Sequence, residues 1–293
     1  MDRTQVVVSL AVVAFAVSGL TGCGGSTAIR VGSKNFTEQV ILGEIIAQHL
    51  ERTLKIKVDR SLNLGGTLLA HQALTSGQID LYPEYTGTAL ASVLKADATA
   101  GLGAHAVYER VRDEYQRRFQ ITWLEPLGID NGFAMAVRSS ERANTLSELA
   151  SESSAWALGV GYEFEQRSDG LPALKRVYGF KPAAIQTMDL GLLYSALEQG
   201  KVRVIAANAT DGLLSKSAYK VLKDDQRAFP PYEMSIAVRD ESLRRTPELR
   251  EALSTLSGKF TNDKMQRLNY LVDIEHQPAA RAARDFLLAA GLE

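Results

Sequence analysis

Residues 29–82 decide the fold, and they read IRVGSKNFTEQVILGEIIAQHLERTLKIKVDRSLNLGGTLLAHQALTSGQIDLY. The segment starts with a predicted short strand, Ile29–Gly32, followed by apolar residues at helical spacing. A second strand is predicted over residues 57–62, a second helix after residues 65–66, and a third strand over residues 79–82. This alternation is typical of a parallel α/β sheet, which binds ligands at the carboxyl ends of its strands.

The rest of the chain carries a second set of α/β elements. Strands are predicted over residues 158–160, 202–206 and 235–238, with helices over residues 171–178 and 191–199. Three helical segments close the chain. Two irregular, proline-containing stretches, residues 124–128 and 229–232, are the predicted linkers between domains.

Length and composition exclude several classes of protein. A chain of 293 residues is long enough for two domains, and 45% apolar with 23% charged residues is ordinary globular composition. The formal net charge is −1, without a basic block, so nucleic acid is not expected as a partner. The single cysteine excludes an internal disulfide and a multi-thiolate metal site, and neither a metal nor a cofactor is expected.

The N-terminus has the pattern of an export signal. Residues 6–17 form an apolar run of signal-peptide length, and Leu20-Thr21-Gly22-Cys23 resembles the lipobox of bacterial lipoproteins. Residues 1–22 are therefore predicted to be a lipoprotein signal peptide, Cys23 the lipid attachment site, and residues 23–28 a flexible tether. The alternative is an ordinary secretory signal cleaved near Gly22. With the lipid anchor, the protein would lie in the periplasm or at the outer face of the cell membrane.

Several short segments resemble one family in the same order along the chain. These are GSKNFTEQ at residues 32–39, LGGT at 64–67, GQIDLYPEYTGT at 77–88, RSDGLP at 167–172, TDG at 210–212 and PPY at 230–232. The chain resembles the OpuAC-type substrate-binding proteins of osmoprotectant ABC importers, which take up glycine betaine, choline and related compatible solutes. The resemblance extends over nearly all of the chain after the leader.

The resemblance implies a bilobed periplasmic-binding-protein fold, type II-like, in which two α/β lobes are joined by a two-stranded hinge. Lobe one would comprise residues 29–127 plus 233–293, and lobe two residues 128–232. The implied function is capture of a small quaternary-ammonium solute between the lobes and delivery to an ABC permease in the inner membrane. The protein would be a monomer and not an enzyme, and would touch the membrane only through its lipid.

A quaternary ammonium has no N–H to donate, so its binding requires aromatic faces. The resemblance places two cage tyrosines at Tyr85 and Tyr232. Phe133 stands where the family usually has another tyrosine, and it keeps the aromatic face but lacks the hydroxyl. Asn208 stands at a position that is usually aromatic in the family, and its amide favours hydrogen bonding to a polar ligand.

A betaine carboxylate requires cationic donors. The resemblance assigns Arg167 and Lys34 to this role, and Thr88 is expected to donate its hydroxyl to the same oxygens. The alternatives are an ion pair of Arg167 with Glu163 or Glu165, a solvated lysine, and a threonine that only caps a helix.

Other readings of the sequence stay open at this point. Because the cage lacks one aromatic, the ligand could be a different, more polar molecule, or the protein could report ligand to a sensor. An enzyme is disfavoured, since the four histidines have no metal-ligand spacing and no G-x-S-x-G motif occurs. Three acidic residues near the predicted site, Asp80, Glu84 and Asp211, are interpreted as structural groups, with a permease-facing position as the alternative for Glu84.

Overall fold

The structure is a computed structural model that describes residues 28–96 and 102–292. Within these residues, ten strands form two five-stranded sheets. The strands are β1 (Ile29–Gly32), β2 (Val58–Ser61), β3 (Leu81–Tyr85), β4 (Ile121–Trp123), β5 (Phe133–Arg138), β6 (Ala157–Val160), β7 (Ala184–Thr187), β8 (Val204–Asn208), β9 (Tyr219–Val221) and β10 (Met234–Arg239).

The two sheets have the same topology. The first has the order β2-β1-β3-β10-β4 and the second the order β7-β6-β8-β5-β9. In each, three parallel strands are followed by an antiparallel strand, β10 or β5, that the chain forms just after crossing from the other sheet. The parallel strands of both sheets direct their carboxyl ends to one cleft, as expected for a ligand-binding α/β fold.

The helices connect the strands and cover the sheets. They are α1 (Thr37–Leu54), α2 (Thr67–Thr75), α3 (Thr86–Thr88), α4 (Ala104–Phe119), α5 (Leu146–Ala150), α6 (Tyr162–Gln166), α7 (Leu171–Tyr178), α8 (Leu193–Glu198), α9 (Asp240–Arg245), α10 (Glu248–Ser254), α11 (Asn262–Asp273) and α12 (Ala279–Ala289). A π-helical turn, Ala89–Val93, follows α3, and 3-10 turns lie at Ser153–Ala155, Leu190–Leu192 and Gly212–Ser215.

Each sheet is buried on both faces. In the first sheet, Val31, Leu81 and Ile236 pack against α1, α10 and α12, while Tyr82 and Ala237 pack on the opposite face with α2 and α4. The alternation follows from the two-residue period of a strand, which directs neighbouring side chains to opposite faces. The second sheet has the same arrangement, with apolar clusters on both faces. Two separately cored lobes result.

Two antiparallel segments join the lobes. The chain leaves the first sheet after Trp123 and returns to it at Met234, and between these points it forms the whole second sheet. The outgoing and returning segments pair through a bridge between Asp130 and Glu233. This confirms the predicted fold class, two α/β lobes with a two-stranded hinge. The predicted lobe boundaries, at 127/128 and 232/233, fall within these segments and stay a prediction.

The structure differs from the sequence predictions at several strands, and some predictions fall on residues that it does not describe. Strand β3 extends through Pro83 to Tyr85 rather than ending at residue 82, and all five of its residues are buried. Strands β7 and β9 had no clear sequence signal. The predicted signal peptide, Cys23 and most of the tether lie outside the described residues, as do residues 97–101. None of the helices from residue 28 to 96 or 102 to 292 is long and apolar enough to cross a membrane.

Candidate functional site

A cavity of about 530 Å³ lies between the two lobes. Its volume is in the range of ~300–1,000 Å³ that small-molecule sites occupy. The structure brings all the sequence-predicted binding residues to its lining, and these are Lys34, Tyr85, Thr88, Phe133, Arg167, Asn208 and Tyr232.

The strand ends explain why residues so distant in sequence meet here. Tyr85 is the last residue of β3 and Asn208 the last of β8, while Lys34 is the second residue after β1. Phe133 begins β5 directly opposite Asn208 in the antiparallel pairing of these strands. The parallel strands of each lobe therefore deliver their C-terminal residues to the same cleft.

The aromatic lining forms two groups of rings. Tyr85 stacks with Phe36, with 6.3 Å between the ring centroids, and its hydroxyl donates to Glu38 Oε1 at 2.6 Å. Phe133 meets the edge of Tyr232, with 5.5 Å between the centroids. Phe36 was not predicted from the sequence, although it lies inside the family-like segment at residues 32–39.

Lys34 is paired inside the protein rather than solvated. Its Nζ lies 2.6 Å from Glu84 Oε1, and both side chains are almost completely buried. The same ammonium lies 4.7 Å from the centroid of the Tyr85 ring, within the range of cation–π attraction. Glu84 is fully buried and also accepts a hydrogen bond from the Tyr82 hydroxyl, so its predicted permease-facing position is wrong, and its lobe-stabilising role stays a prediction.

Arg167 forms a polar cluster with Asp169 and Thr88 in the cleft. Its Nε and Nη2 donate to the two carboxylate oxygens of Asp169 at 2.9 and 2.6 Å, and Nη2 also donates to Thr88 Oγ1 at 3.1 Å. The guanidinium carbon lies 4.8 Å from the centroid of the Phe133 ring. Since Thr88 belongs to the first lobe and Arg167 to the second, this cluster connects the lobes across the cavity.

Asp169 was not predicted as a site residue, but it organises this cluster. The side chain is fully buried, and its Oδ2 also accepts a hydrogen bond from the Tyr232 hydroxyl at 2.7 Å. It therefore fixes both a predicted cage tyrosine and the predicted carboxylate-binding arginine. The sequence could have indicated Asp169 as a site residue, because it lies two residues after Arg167 in the family-like RSDGLP segment.

Glu163 provides a second contact between the lobes. Its Oε1 accepts from the backbone N–H of Thr67 at 2.7 Å, and its Oε2 accepts from the Thr67 hydroxyl at 3.2 Å. It also lies 3.5 Å from Arg167, the ion pair that the sequence left as an alternative. Partial desolvation raises the pKa of Glu163. The charge of Lys34 and the hydrogen bond from the Thr67 N–H lower it by more, so the pKa of Glu163 lies below its ordinary value.

Glu38 is a buried carboxyl that sequence reasoning missed. It accepts hydrogen bonds from the Tyr85 hydroxyl, the Thr210 hydroxyl and the side-chain amides of Asn131 and Asn269. Burial raises its pKa despite these four donors. Because the donors come from both lobes and from the hinge, Glu38 holds the base of the cleft together.

Asn208 contacts Asp211 rather than standing free in the cavity. Its backbone N–H donates to Asp211 Oδ2 at 3.1 Å, and the Tyr194 hydroxyl donates to the same oxygen at 3.1 Å. Desolvation raises the pKa of Asp211 to about 6. Of the other predicted structural acids, Asp80 lies away from this cavity, where it binds Arg30, Ser242 and Arg245.

The family model of OpuAC, described as the substrate-binding domain of ABC-type glycine betaine transport systems, matches residues 27–289. The chain belongs to the OpuAC family. The predicted family is thereby confirmed, and OpuAC proteins of this kind are ligand-binding components of transport systems that work with a permease. Within the described residues, no three His, Cys, Asp or Glu side chains are grouped so that they could hold a metal ion.

Individual OpuAC relatives cover most of the chain. It is 36% identical to a glycine-betaine-binding protein of Pseudomonas aeruginosa, over 93% of this chain and 91% of that protein. It is 33% identical to an ergothioneine transport permease/ergothioneine binding protein of Helicobacter pylori, over 89% of this chain but only 47% of that protein. A solved structure described as a glycine betaine/carnitine/choline ABC transporter superimposes with a TM-score of 0.77 and 30% identity, covering 90% of this chain and 99% of that one.

Proposed function

We propose that this protein is the substrate-binding component of an ABC importer and that it captures a small quaternary-ammonium solute such as glycine betaine or choline. The single observation that carries the proposal is the cavity between the lobes. Six aromatic rings and one arginine line it, and they are Phe36, Tyr85, Phe133, Tyr162, Phe164, Tyr232 and Arg167. Aromatic faces attract a cation that cannot donate hydrogen bonds, and a guanidinium recognises a carboxylate.

The placement of the protein's own cations supports this ligand chemistry. Lys34 lies over the ring of Tyr85, and Arg167 lies over the ring of Phe133. Both rings therefore attract positive charge beside the cavity, where the protein's own cations lie over them. A desolvated cation–π contact is worth roughly 0.5 to 2 kcal/mol, so several of them support micromolar affinity.

We propose the seven predicted lining residues as the binding residues, with roles that the polar contacts refine. Tyr85, Phe133 and Tyr232 would form aromatic faces for the ammonium group. Arg167, held by Asp169, would offer its remaining N–H groups to a ligand carboxylate. Thr88 and Lys34 would support this end of the cavity through Arg167 and Glu84, and Asn208 would contact the far end of the ligand.

A second candidate is a ligand of the same class with a larger polar group. It is favoured by Asn208, where an amide lines the cavity at a position predicted to be aromatic in relatives. A relative named as an ergothioneine-binding protein is about as similar to this chain as the betaine-binding one. Under this candidate, the solute would be longer than glycine betaine and would hydrogen-bond beyond the aromatic rings.

We also propose that the mature protein is a monomer anchored by lipid on Cys23, in the periplasm or at the outer face of the cell membrane. The lipobox at residues 20–23 supports the anchor. Two acyl chains on one cysteine would hold the protein stably at a membrane, whereas one chain gives only marginal binding. Light scattering of the purified protein would measure its oligomeric state.

The proposed function is tested by calorimetric titration of the purified protein with glycine betaine, choline, carnitine, ergothioneine and leucine. At least one quaternary-ammonium solute should bind with micromolar affinity, and leucine should not bind. The variant Phe133→Leu, which loses a ring face in the cavity, should bind that solute several-fold more weakly. Phe229→Leu is the matched control, because Phe229 packs on Phe133 without lining the cavity. Binding of leucine but of no quaternary-ammonium solute would refute the proposal.

A further inference from the structure

A second chamber adjoins the main cavity. It has a volume of about 260 Å³ and shares with the main cavity the lining residues Phe36, Thr37, Asn131, Leu190, Gly191 and Asn208. The two spaces therefore meet at Asn208, the position where the aromatic wall of the cage is missing. An amide here is smaller than an aromatic ring and leaves the junction between the two chambers open.

The second chamber differs from the main cavity in the charge of its lining, since Lys34 and Arg167 line only the main cavity. Its lining includes three carboxyl groups, Glu38, Asp211 and Asp273, and among its lining residues in the described part of the chain there is no Lys, Arg or His. In the described part of the chain, the side-chain carboxylate of Asp211 receives hydrogen bonds from neutral groups alone, Asn208 and Tyr194. A partly buried carboxylate without a cation beside it is unfavourable unless a positive charge is supplied.

An unsatisfied acceptor in the wall of the same chamber points to a ligand independently. Asn269 is 3% exposed, and its Oδ1 has no hydrogen-bond partner among the described residues, although its Nδ2 donates to Glu38 and to the Thr210 carbonyl. Buried polar atoms are normally hydrogen-bonded, so an orphaned acceptor indicates a missing donor. Asn269 thus leaves one acceptor without a donor beside this space, and the donors to Asp211 among the described residues are neutral.

We infer that the second chamber is a subsite for a cationic, N–H-bearing group at the far end of an elongated betaine. The inference rests on the proposed function, because the trimethylammonium and carboxylate would occupy the main cavity. Charge complementarity then selects solutes with a second positive group over those that end in an alkyl chain. Glu38 takes no direct part, since four protein donors already satisfy it.

The test compares two ligands that differ only at the far end. Nα-trimethyllysine carries a terminal ammonium, whereas norleucine betaine has a chain of similar length without it. Wild-type protein should bind the first at least tenfold more tightly than the second by calorimetry. Asp211→Asn should reduce this preference to about threefold or less, and Asp263→Asn, an exposed charge on α11, should leave it intact.

Gly191→Phe is a second variant that does not disturb Asp211. Gly191 lines both chambers, and a Cβ added there has no heavy atom within 4 Å. The larger side chain should narrow the junction, so it should weaken trimethyllysine binding at least fivefold more than it weakens glycine betaine binding.

The outcomes separate the two proposals. Equal affinity of the wild-type protein for both long betaines, or an ammonium preference that persists in Asp211→Asn, would overturn the subsite while glycine betaine binding still supports the proposed function. Failure of every betaine to bind would instead refute the proposed function itself.

Discussion

Glu163 of the second lobe accepts a hydrogen bond from the backbone N–H of Thr67 in the first lobe at 2.7 Å. Thr67 is the first residue of α2, where unpaired N–H groups and the helix dipole favour a negative charge. Gly66, just before it, has no side chain, and a Cβ there would lie 2.4 Å from Glu163 Oε1. Gly66 therefore leaves room for the Glu163 carboxylate to approach the N-terminus of α2.

Glu163→Gln should weaken ligand binding about two- to fivefold. Glutamine can still accept the Thr67 hydrogen bond but loses the charge at the helix N-terminus, which contributes about 0.3 to 1 kcal/mol at a partly exposed site. The lobe contact would be weaker, so ligand should dissociate faster, as stopped-flow measurement of the dissociation rate can determine. Glu165→Gln is the control, since Glu165 lies on the same helix and hydrogen-bonds only Thr187. Equal effects of both substitutions would show that the contact does not support closure.

Arg167→Ala should weaken binding of carboxylate-bearing ligands by about 2 to 4 kcal/mol, the usual range for a buried charge-assisted pair. Choline, which has no carboxylate, should lose much less affinity. The variant should also be less stable by about 3 to 5 kcal/mol, because it leaves the carboxylate of Asp169 buried without its cation. Calorimetry with glycine betaine and choline measures the first effect and thermal unfolding the second.

The double variant Arg167→Ala/Asp169→Ala separates these two effects. It removes the stranded carboxylate and should recover part of the stability, but it should not recover glycine betaine affinity. Equal losses for betaine and choline in the single variant would contradict a role of Arg167 in carboxylate binding.

Asn208→Tyr should tighten glycine betaine binding about 2- to 30-fold, since one added cation–π face contributes roughly 0.5 to 2 kcal/mol. The same ring would narrow the junction to the second chamber, so longer betaines should bind more weakly. Asn208→Leu is the control, because it adds bulk without an aromatic face and should not tighten betaine binding. Unchanged affinities for short and long ligands in the tyrosine variant would mean that position 208 does not face the ligand.

Asp211→Asn should change how stability depends on pH. Burial raises the folded-state pKa of Asp211 to about 6 from an ordinary 3.8, so the folded protein holds this proton more tightly than the unfolded chain. The stability of the wild type therefore decreases as pH rises from about 4 through 6. A shift of two pKa units corresponds to about 3 kcal/mol, and the amide variant lacks this loss.

Urea unfolding of both proteins from pH 4 to pH 7 measures this difference. The free energy of unfolding of Asp211→Asn should rise relative to that of the wild type by up to about 3 kcal/mol across the range. Glu38 and Asp273 also have raised pKa values and are retained in both proteins, so the difference between the proteins reports Asp211 together with its charge interaction with Glu38. A constant difference at every pH would contradict the raised pKa of Asp211.

Cys23→Ala should abolish lipid attachment, because acylation requires the cysteine sulfur of the lipobox. Metabolic labelling with a radioactive fatty acid should mark the wild-type protein and not the variant, which should be recovered uncleaved or soluble. Ser26→Ala, three residues downstream, is a control that should stay labelled. Undiminished labelling of Cys23→Ala would exclude this residue as the anchor.

The sequence, through its periodicity and its resemblance to the OpuAC family, predicted the α/β lobes, their order along the chain and seven residues of the cavity wall. Apolar periodicity identifies helices such as α1, and the ends of parallel strands place the residues after them in a cleft whatever the detail of packing. Lys34, Tyr85 and Asn208 follow this rule. Phe36 and Asp169 could also have been predicted as site residues, since both lie in segments that resemble the family.

Only the tertiary structure decided which charges pair. Lys34 and Glu84 are 50 residues apart in sequence and Glu38 and Thr210 are 172 apart, so no local pattern couples them. Whether a buried lysine or arginine is available to a ligand depends on which carboxylate lies beside it in three dimensions, because an unpaired charge in the interior is too unfavourable to persist. The second chamber has the same origin: its wall combines side chains from both lobes, and it exists only because folding brings them together around the small side chain of Asn208.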